Sequence, residues 1–186
     1  MLSKSHGGFT LVELMVTIAI VAVLATIAVP SLDSFLVGSQ RRGAAQDFLS
    51  SMALTRSEAI KRGTPMMMQA KTTGSPAFQS GWLVYVDVDS SGTAPATGST
   101  LIIENKSAFP TGQVEIGCGL VVESASLPQY LRFDALGRLV TLGGASGATS
   151  LGIKILRNSS LKASSRINLD WGGRSRLIEN QLPTGC

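Results

Sequence analysis

The sequence predicts an α+β chain. A long N-terminal hydrophobic helix continues into an amphipathic helix, which packs on an antiparallel β-sheet or sandwich domain. Three observations carry this. After Phe9, and as far as Val29, the only ionisable side chain is Glu13, and the rest is Leu, Val, Ile, Ala, Met and Thr. From Ser31 to Gly63 apolar residues recur among charged ones at helical spacing. Beyond Gly63 the chain breaks into short β-type runs separated by Gly, Ser, Pro and Asp. The divisions are therefore a short stretch at 1–8 that carries Lys4 and no acidic residue, an apolar helix at 9–30, an amphipathic helix at 31–63 and a β-rich domain at 64–186.

The apolar run of about 21 residues makes a helix roughly 31 Å long, enough to cross a hydrocarbon core. The helix is expected to continue past Pro30, which suits a kink because it deletes one backbone donor and crowds the preceding turn. The second stripe reads Phe35, Phe48, Leu49, Met52, Leu54, Ala59 and Ile60. Between these lie Arg41, Arg42, Asp47, Arg56, Glu58, Lys61 and Arg62. One face is thus left for a domain core. Gly63-Thr64-Pro65 stops the helix.

The strand candidates are Met66–Ala70, Trp82–Asp87, Leu101–Glu104, Val114–Ile116, Tyr130–Phe133, Arg138–Leu142, Leu151–Leu156, Arg166–Asp170 and Arg174–Ile178. Met66-Met67-Met68 reads as a core strand. Ser90–Ser99 and Gly143–Ser150 are rich in small polar residues and read as mobile loops within one domain. One segment echoes another. Phe133-Asp134-Ala135-Leu136-Gly137-Arg138 parallels Leu169-Asp170-Trp171-Gly172-Gly173-Arg174. Asp at the first turn position and Gly at the fourth suit a type I hairpin turn closed by a glycine bulge.

The N-terminal run has three readings. A cleavable secretory signal places its cut site after the apolar core, whereas here the Gly pair precedes it. A plain anchor rarely keeps a glutamate in its first turns, because a charge there is expensive. The third reading accounts for both features. Gly8-Phe9-Thr10-Leu11-Val12-Glu13 resembles the leader of type IV pilins and type II secretion pseudopilins. The resemblance implies that prepilin peptidase cuts between Gly8 and Phe9 and methylates the new amino terminus. Glu13 then becomes an assembly residue, its carboxylate partnered by the Phe9 amino group of a neighbouring subunit in an apolar fibre core. The inner membrane would hold the chain as a single-pass protein, with the domain in the periplasm before export to the fibre and cell surface.

Interior segments narrow this family. Leu54 to Pro65, Gly81-Trp82-Leu83-Val84-Tyr85-Val86-Asp87 and the Phe133–Leu139 hairpin resemble the GspH/FimT group of minor pilins and pseudopilins. The resemblance covers most of the chain and implies other pilins, major and minor, as partners.

Charge is unevenly spread. Ser31 to Glu123 holds seven Lys/Arg and eight Asp/Glu, a net of −1, while Ser124 to Cys186 holds eight Lys/Arg and three Asp/Glu, a net of +5. A basic half suits an anionic partner such as nucleic acid or a membrane surface, or is simply a surface short of acids. Within it, Gly173-Arg174-Ser175-Arg176 resembles the Gly-Arg-x-Arg motif of FimT-like pilins, which bind DNA during natural transformation. In a strand Arg174 and Arg176 face one side, roughly 7 Å apart, about one phosphate spacing. Gly172 and Gly173 leave room for a phosphate. Arg166 and Lys162 on the neighbouring run extend the patch, and Trp171 suits base stacking or burial. No base-reading array is present, so binding is expected to be independent of sequence, to single and double strands alike. The other reading takes Arg174 and Arg176 as ordinary solvated residues. It makes the chain a structural pilin of the FimU-like priming type or a GspH-like type II secretion pseudopilin.

Cys118 and Cys186 cannot form a four-ligand zinc site without His, and His6 leaves with the leader. The periplasm the resemblance implies is oxidising, so a disulfide is expected, the alternative being two free thiols. No enzyme and no cofactor are expected: the mature chain lacks His, a nucleophile elbow and a P-loop. Asp87, Asp89, Ser91 and Gly92 faintly suggest a calcium loop, but a turn is the better reading because the glutamate ligand is missing.

Overall fold

The structure, a computed structural model, describes residues 8–74, 77–96, 98–110, 113–119, 129–144, 147–157, 160–184 and 186, without the side chains of 27–31 and 157. The chain divides into two compact units, Met1–Gly38 and Ser39–Cys186.

The first unit is the apolar part of α1 (Leu11–Arg62). Its side chains from Leu11 to Thr26 are exposed. Among the described residues no helix is long and apolar enough to cross a membrane. The span expected at 9–30 and the kink expected at Pro30 both include side chains outside the described residues.

The second unit starts with the amphipathic part of α1. Ala44, Ala45, Phe48, Met52 and Ala59 form its buried stripe, together with Ser51 and Thr55. The stripe therefore leans on small residues more than the sequence suggested. Phe35, in the first unit, and Ile60 are exposed, whereas Ala44 and Ala45 are buried. Thr55 Oγ1 satisfies itself on Ser51 O at 2.7 Å. The helix ends as Gly63-Thr64-Pro65 predicts. Gly63 takes φ 61°, and Thr64 N–H reaches back to Ala59 O while Gly63 N–H reaches Ile60 O. This is the paired-bond glycine stop.

All nine expected strands form: β1 (Met66–Ala70), β2 (Trp82–Val86), β3 (Ile102–Lys106), β4 (Val114–Cys118), β5 (Tyr130–Phe133), β6 (Leu139–Val140), β7 (Thr149–Arg157), β8 (Ser160–Leu169) and β9 (Ser175–Glu179). They build two antiparallel sheets, β3-β2-β1-β5-β6 and β4-β7-β8-β9. Central β1 is wholly buried, with Met66, Met67 and Met68 at its start. The largest departure is in β7 and β8, which are longer than their apolar runs. Thr149, Ser150 and Ser160 to Ser165 have little strand signal of their own, but register pairing between β7 and β8 carries them into the sheet. Thus Thr149 and Ser150 are strand rather than the loop expected there; residues 145 and 146 lie outside the described residues.

The core centres on Phe48 of α1, whose ring meets Phe78 at 5.1 Å and Trp82 at 5.6 Å, edge-on as ring quadrupoles favour. By strand alternation the opposite face of the sheet that holds Trp82 carries a buried polar knot. Tyr85 donates its hydroxyl to Gln69 Oε1 at 3.1 Å, and Gln69 Nε2 donates to Gly92 O. Burial pushes the Tyr85 hydroxyl pKa well up, with the Asp87 and Asp89 carboxylates adding to the effect. On the same sheet Arg132 Nε meets Asp87 Oδ2 at 2.6 Å, and its other nitrogens donate to Ser90 Oγ and Thr141 O.

Candidate nucleic-acid interface

The two echoing segments fold into the same turn. In the β5–β6 hairpin, Asp134 N–H donates to Arg138 O, Gly137 N–H to Asp134 O, and Arg138 N–H to Asp134 Oδ1. In the β8–β9 hairpin, Asp170 N–H donates to Arg174 O, Gly173 N–H to Asp170 O, and Arg174 N–H to Asp170 Oδ1. The bulge glycines Gly137 and Gly173 have φ of 74° and 72°. The left-handed region is nearly free only for glycine, so the turn chemistry read in the sequence is the physical cause.

The turns also hold one another. Leu139 N–H donates to Trp171 O at 2.9 Å. Arg56 Nε, from α1, donates to Gly137 O at 2.9 Å. A Cβ on Gly173 would lie 2.5 Å from Gly137 O and 3.0 Å from Arg56 Nε. Gly173 is buried. Its bare backbone therefore makes room for the contact between the two turns.

The side chains differ where the backbones agree. Arg138 turns back onto its own Asp134, Nη2 to Oδ2 at 2.7 Å. Burial opposes ionisation of Asp134, but the Arg138 and Leu136 N–H groups and the Arg138 guanidinium outweigh it and hold the carboxyl below its ordinary range. Arg174 and Arg176 are exposed, and neither side chain has a hydrogen bond or ion pair among the described residues. Arg176 sits in β9 opposite Asn168. Arg174 stands one residue before the strand and borders a groove of about 500 Å³ shared with Met52, Arg56 and Ile60 of α1. Strict strand alternation thus applies to Arg176 and only approximately to Arg174. Trp171 is 60% exposed at the tip of the turn.

The other two expected members separate from this pair. Arg166 faces Ile178 across the ladder, but its Nη2 donates to Gln181 Oε1 at 2.6 Å and it is half-buried. Lys162 is exposed, yet lies six residues along β8 from Asn168, the partner of Arg176, which is about 20 Å at strand rise. Lys154 pairs with Glu115 at 3.5 Å.

Arg166 is engaged because the C-terminal tail crosses the sheet. Asn180, at φ 56°, turns the chain off β9, while Arg41 clamps the turn through Asn180 Oδ1 and Glu179. The tail then follows one register row, since Arg166 pairs with Gly152 and Gly152 with Cys118. Gln181 meets Arg166; a Cβ on Gly152 would strike Cys118 Sγ, Cys186 Sγ and Leu182. The Cys118–Cys186 disulfide, Cα to Cα 5.4 Å, closes the strap. The sequence pointed to this bond but not to the path it fastens.

Residues 44–173 match the family model described as type II transport protein GspH. The chain belongs to the GspH family. Residues 3–29 match the prokaryotic N-terminal methylation motif. Fimbrial protein EcpC of Eikenella corrodens is 26% identical over 146 residues, which cover 71% of this chain and 94% of that protein. Two crystal structures of the type IV minor pilin FimU from Pseudomonas aeruginosa share the fold, with TM-scores of 0.53 and 0.50 and 18% identity. They cover 80% and 78% of this chain and 96% and 98% of theirs. The GspH-family match stops at Gly173, so Arg174, Arg176 and the disulfide-clipped tail lie beyond the matched residues.

At the other end of this GspH-family chain, Gly8 and Phe9 are exposed and precede the helix. Glu13 closes a capping box. Glu13 N–H donates to Thr10 Oγ1 at 3.2 Å, and Thr10 N–H reaches Glu13 Oε2 at 3.4 Å. The T-x-x-E spacing was visible in the sequence and signals this cap. Asp87, one of the faint calcium candidates, is instead held by Arg132, and Asp89 accepts the Ser91 N–H.

Proposed function

We propose that this protein is a non-catalytic minor pilin of FimT-like type that enters a type IV pilus and binds DNA without sequence preference for uptake in natural transformation. The observation that carries the DNA reading is the contrast between the twin turns. One arginine is spent on its own aspartate, while Arg174 and Arg176 stay exposed and have no partner among the described residues, in a half with net charge +5. Guanidinium groups free of protein partners can each neutralise a phosphate and release its counterions. Of the wider patch, Arg174 and Arg176 are the DNA-contacting pair, and Gly173 is their support. Arg166 and Lys162 are secondary, the first tied to the tail and the second distant.

Replacing both arginines, Arg174→Gln and Arg176→Gln, should weaken binding uniformly across sequences and lower the slope of log affinity against log salt by about two. Titration of the full chain in neutral detergent across salt concentrations measures this. Wild-type affinity in the double variant would move the site to Lys154, Arg157, Lys162 and Arg166. No salt-sensitive DNA binding by the wild type would leave the structural reading, a FimU-like or GspH-like subunit that meets only other pilins.

For assembly, prepilin peptidase cleaves Gly8–Phe9, the inner membrane holds the apolar helix, and the Glu13 carboxylate pairs with a neighbour's Phe9 amino group. Glu13→Val should insert but enter fibres poorly. Glu13→Gln separates the two roles of this residue. Glutamine still closes a capping box, so docking by charge predicts that Glu13→Gln also assembles poorly. Normal recovery of Glu13→Gln in sheared fibres would reduce Glu13 to a helix cap.

A further inference from the structure

We propose that Trp171 is a base-stacking platform that makes the site prefer single-stranded over double-stranded DNA; this rests on the DNA-binding reading above. The chain has two tryptophans. Trp82 is fully buried in the aromatic core, and Trp171 is 60% exposed. A tryptophan usually gains its stability by burying its large ring. Trp171 forgoes that at a place where the turn does not need a large ring, since the twin turn forms with Ala135 at the equivalent position. No aromatic ring stacks on it among the described residues.

The ring stands on a fixed base. Trp171 O accepts the Leu139 N–H at 2.9 Å, Asp170 closes the turn through Gly173 N–H and Arg174 N–H, and Gly173 is wedged against Gly137 O. Little ordering remains to be done on binding, which favours affinity. Arg174, three residues on, is free to take a phosphate flanking the stacked nucleotide. Every base offers a π-face, so stacking adds affinity without sequence choice. A closed duplex covers its base faces and offers only phosphates. The twin turn is a built-in comparison: the same backbone with alanine in place of tryptophan, and with its arginine neutralised by Asp134.

The test uses the full chain in neutral detergent, a short oligothymidine, and a duplex closed at both ends by loops too tight to leave unpaired bases free. With Trp82 shielded in the core, tryptophan fluorescence reports Trp171. Oligothymidine should quench it, and the closed duplex should bind by salt-sensitive contacts without quenching. Trp171→Ala should lose about tenfold in affinity for oligothymidine and leave affinity for the closed duplex unchanged, while Trp171→Phe should restore most of the loss. Retained duplex binding also shows that the variant is folded. Equal loss for both ligands, or no loss for either, overturns the stacking platform while leaving phosphate binding in place. If neither ligand binds the wild type, both this proposal and the DNA reading fall together.

Discussion

Arg132→Met lowers the stability of the globular unit by about 3–5 kcal/mol, the cost of breaking a buried ion pair by removing one partner. Arg132 and Asp87 are 5% and 2% exposed. The guanidinium reaches Asp87, Ser90 and the Thr141 carbonyl together. It therefore joins β5 to the Asp87–Ser90 turn and to the chain beyond β6. Methionine fills much of the volume but leaves the Asp87 carboxylate buried without its cation. Asp87 Oδ1 already lacks a hydrogen-bond partner among the described residues, so little is available to take over. Against a typical total of about 5–15 kcal/mol, this is a large fraction. Denaturant unfolding measures it, and the double variant Arg132→Met/Asp87→Asn should recover part of the loss because the orphan charge is gone. A destabilisation below about 1 kcal/mol would mean that the pair is not the linchpin drawn here.

Cys186→Ser should cost about 4 kcal/mol by the chain-entropy account, for a sequence separation of 68. At roughly 2–4 °C per kcal/mol for a domain of this size, the melting temperature should fall by about 8–16 °C. The same fall should follow from reducing the wild type. On the proposed DNA-binding function, the effect on affinity should be small, because the strap engages Arg166 and not Arg174 or Arg176. Freed from Gln181, Arg166 becomes an additional exposed cation, so affinity should hold or rise slightly. An unchanged melting temperature after reduction, or peptide mapping that finds both thiols free in the native protein, would contradict the strap. Glycine at 152 belongs to the same device, since any side chain there meets both sulfurs.

Much of this architecture was legible in the sequence because its signals are local. The glycine stop at Gly63 and the Asp-x-x-Gly-Arg turns each act within a few residues. Met66 to Ala70 could be read as a buried strand from its own side chains. The ends of β7 and β8 could not. Ser160 to Ser165 is polar and takes strand form only through its partner on β7. The small-residue helix face was missed for a related reason. Ala44, Ala45 and Thr55 announce nothing by hydrophobicity, and their burial depends on sheets placed against them.

The sequence by itself determined the elements, the turn types, the GspH-family motifs and the basic C-terminal half. Each follows from backbone preference, hydrophobic period or charge count, and none needs a distant partner. Tertiary structure alone decided which arginines are free. Arg56, Arg41 and Arg166 look equivalent to Arg174 and Arg176 in the sequence. The fold spends the first on Gly137 O, the second on Glu179 and Asn180, and the third on Gln181. It also wedged Gly173 between two hairpins, a contact its sequence position does not announce. The physical reason is range. Arg56 meets Gly137 across 81 positions and Arg41 meets Asn180 across 139, and no local pattern encodes a contact that only the closing of two sheets around a helix creates.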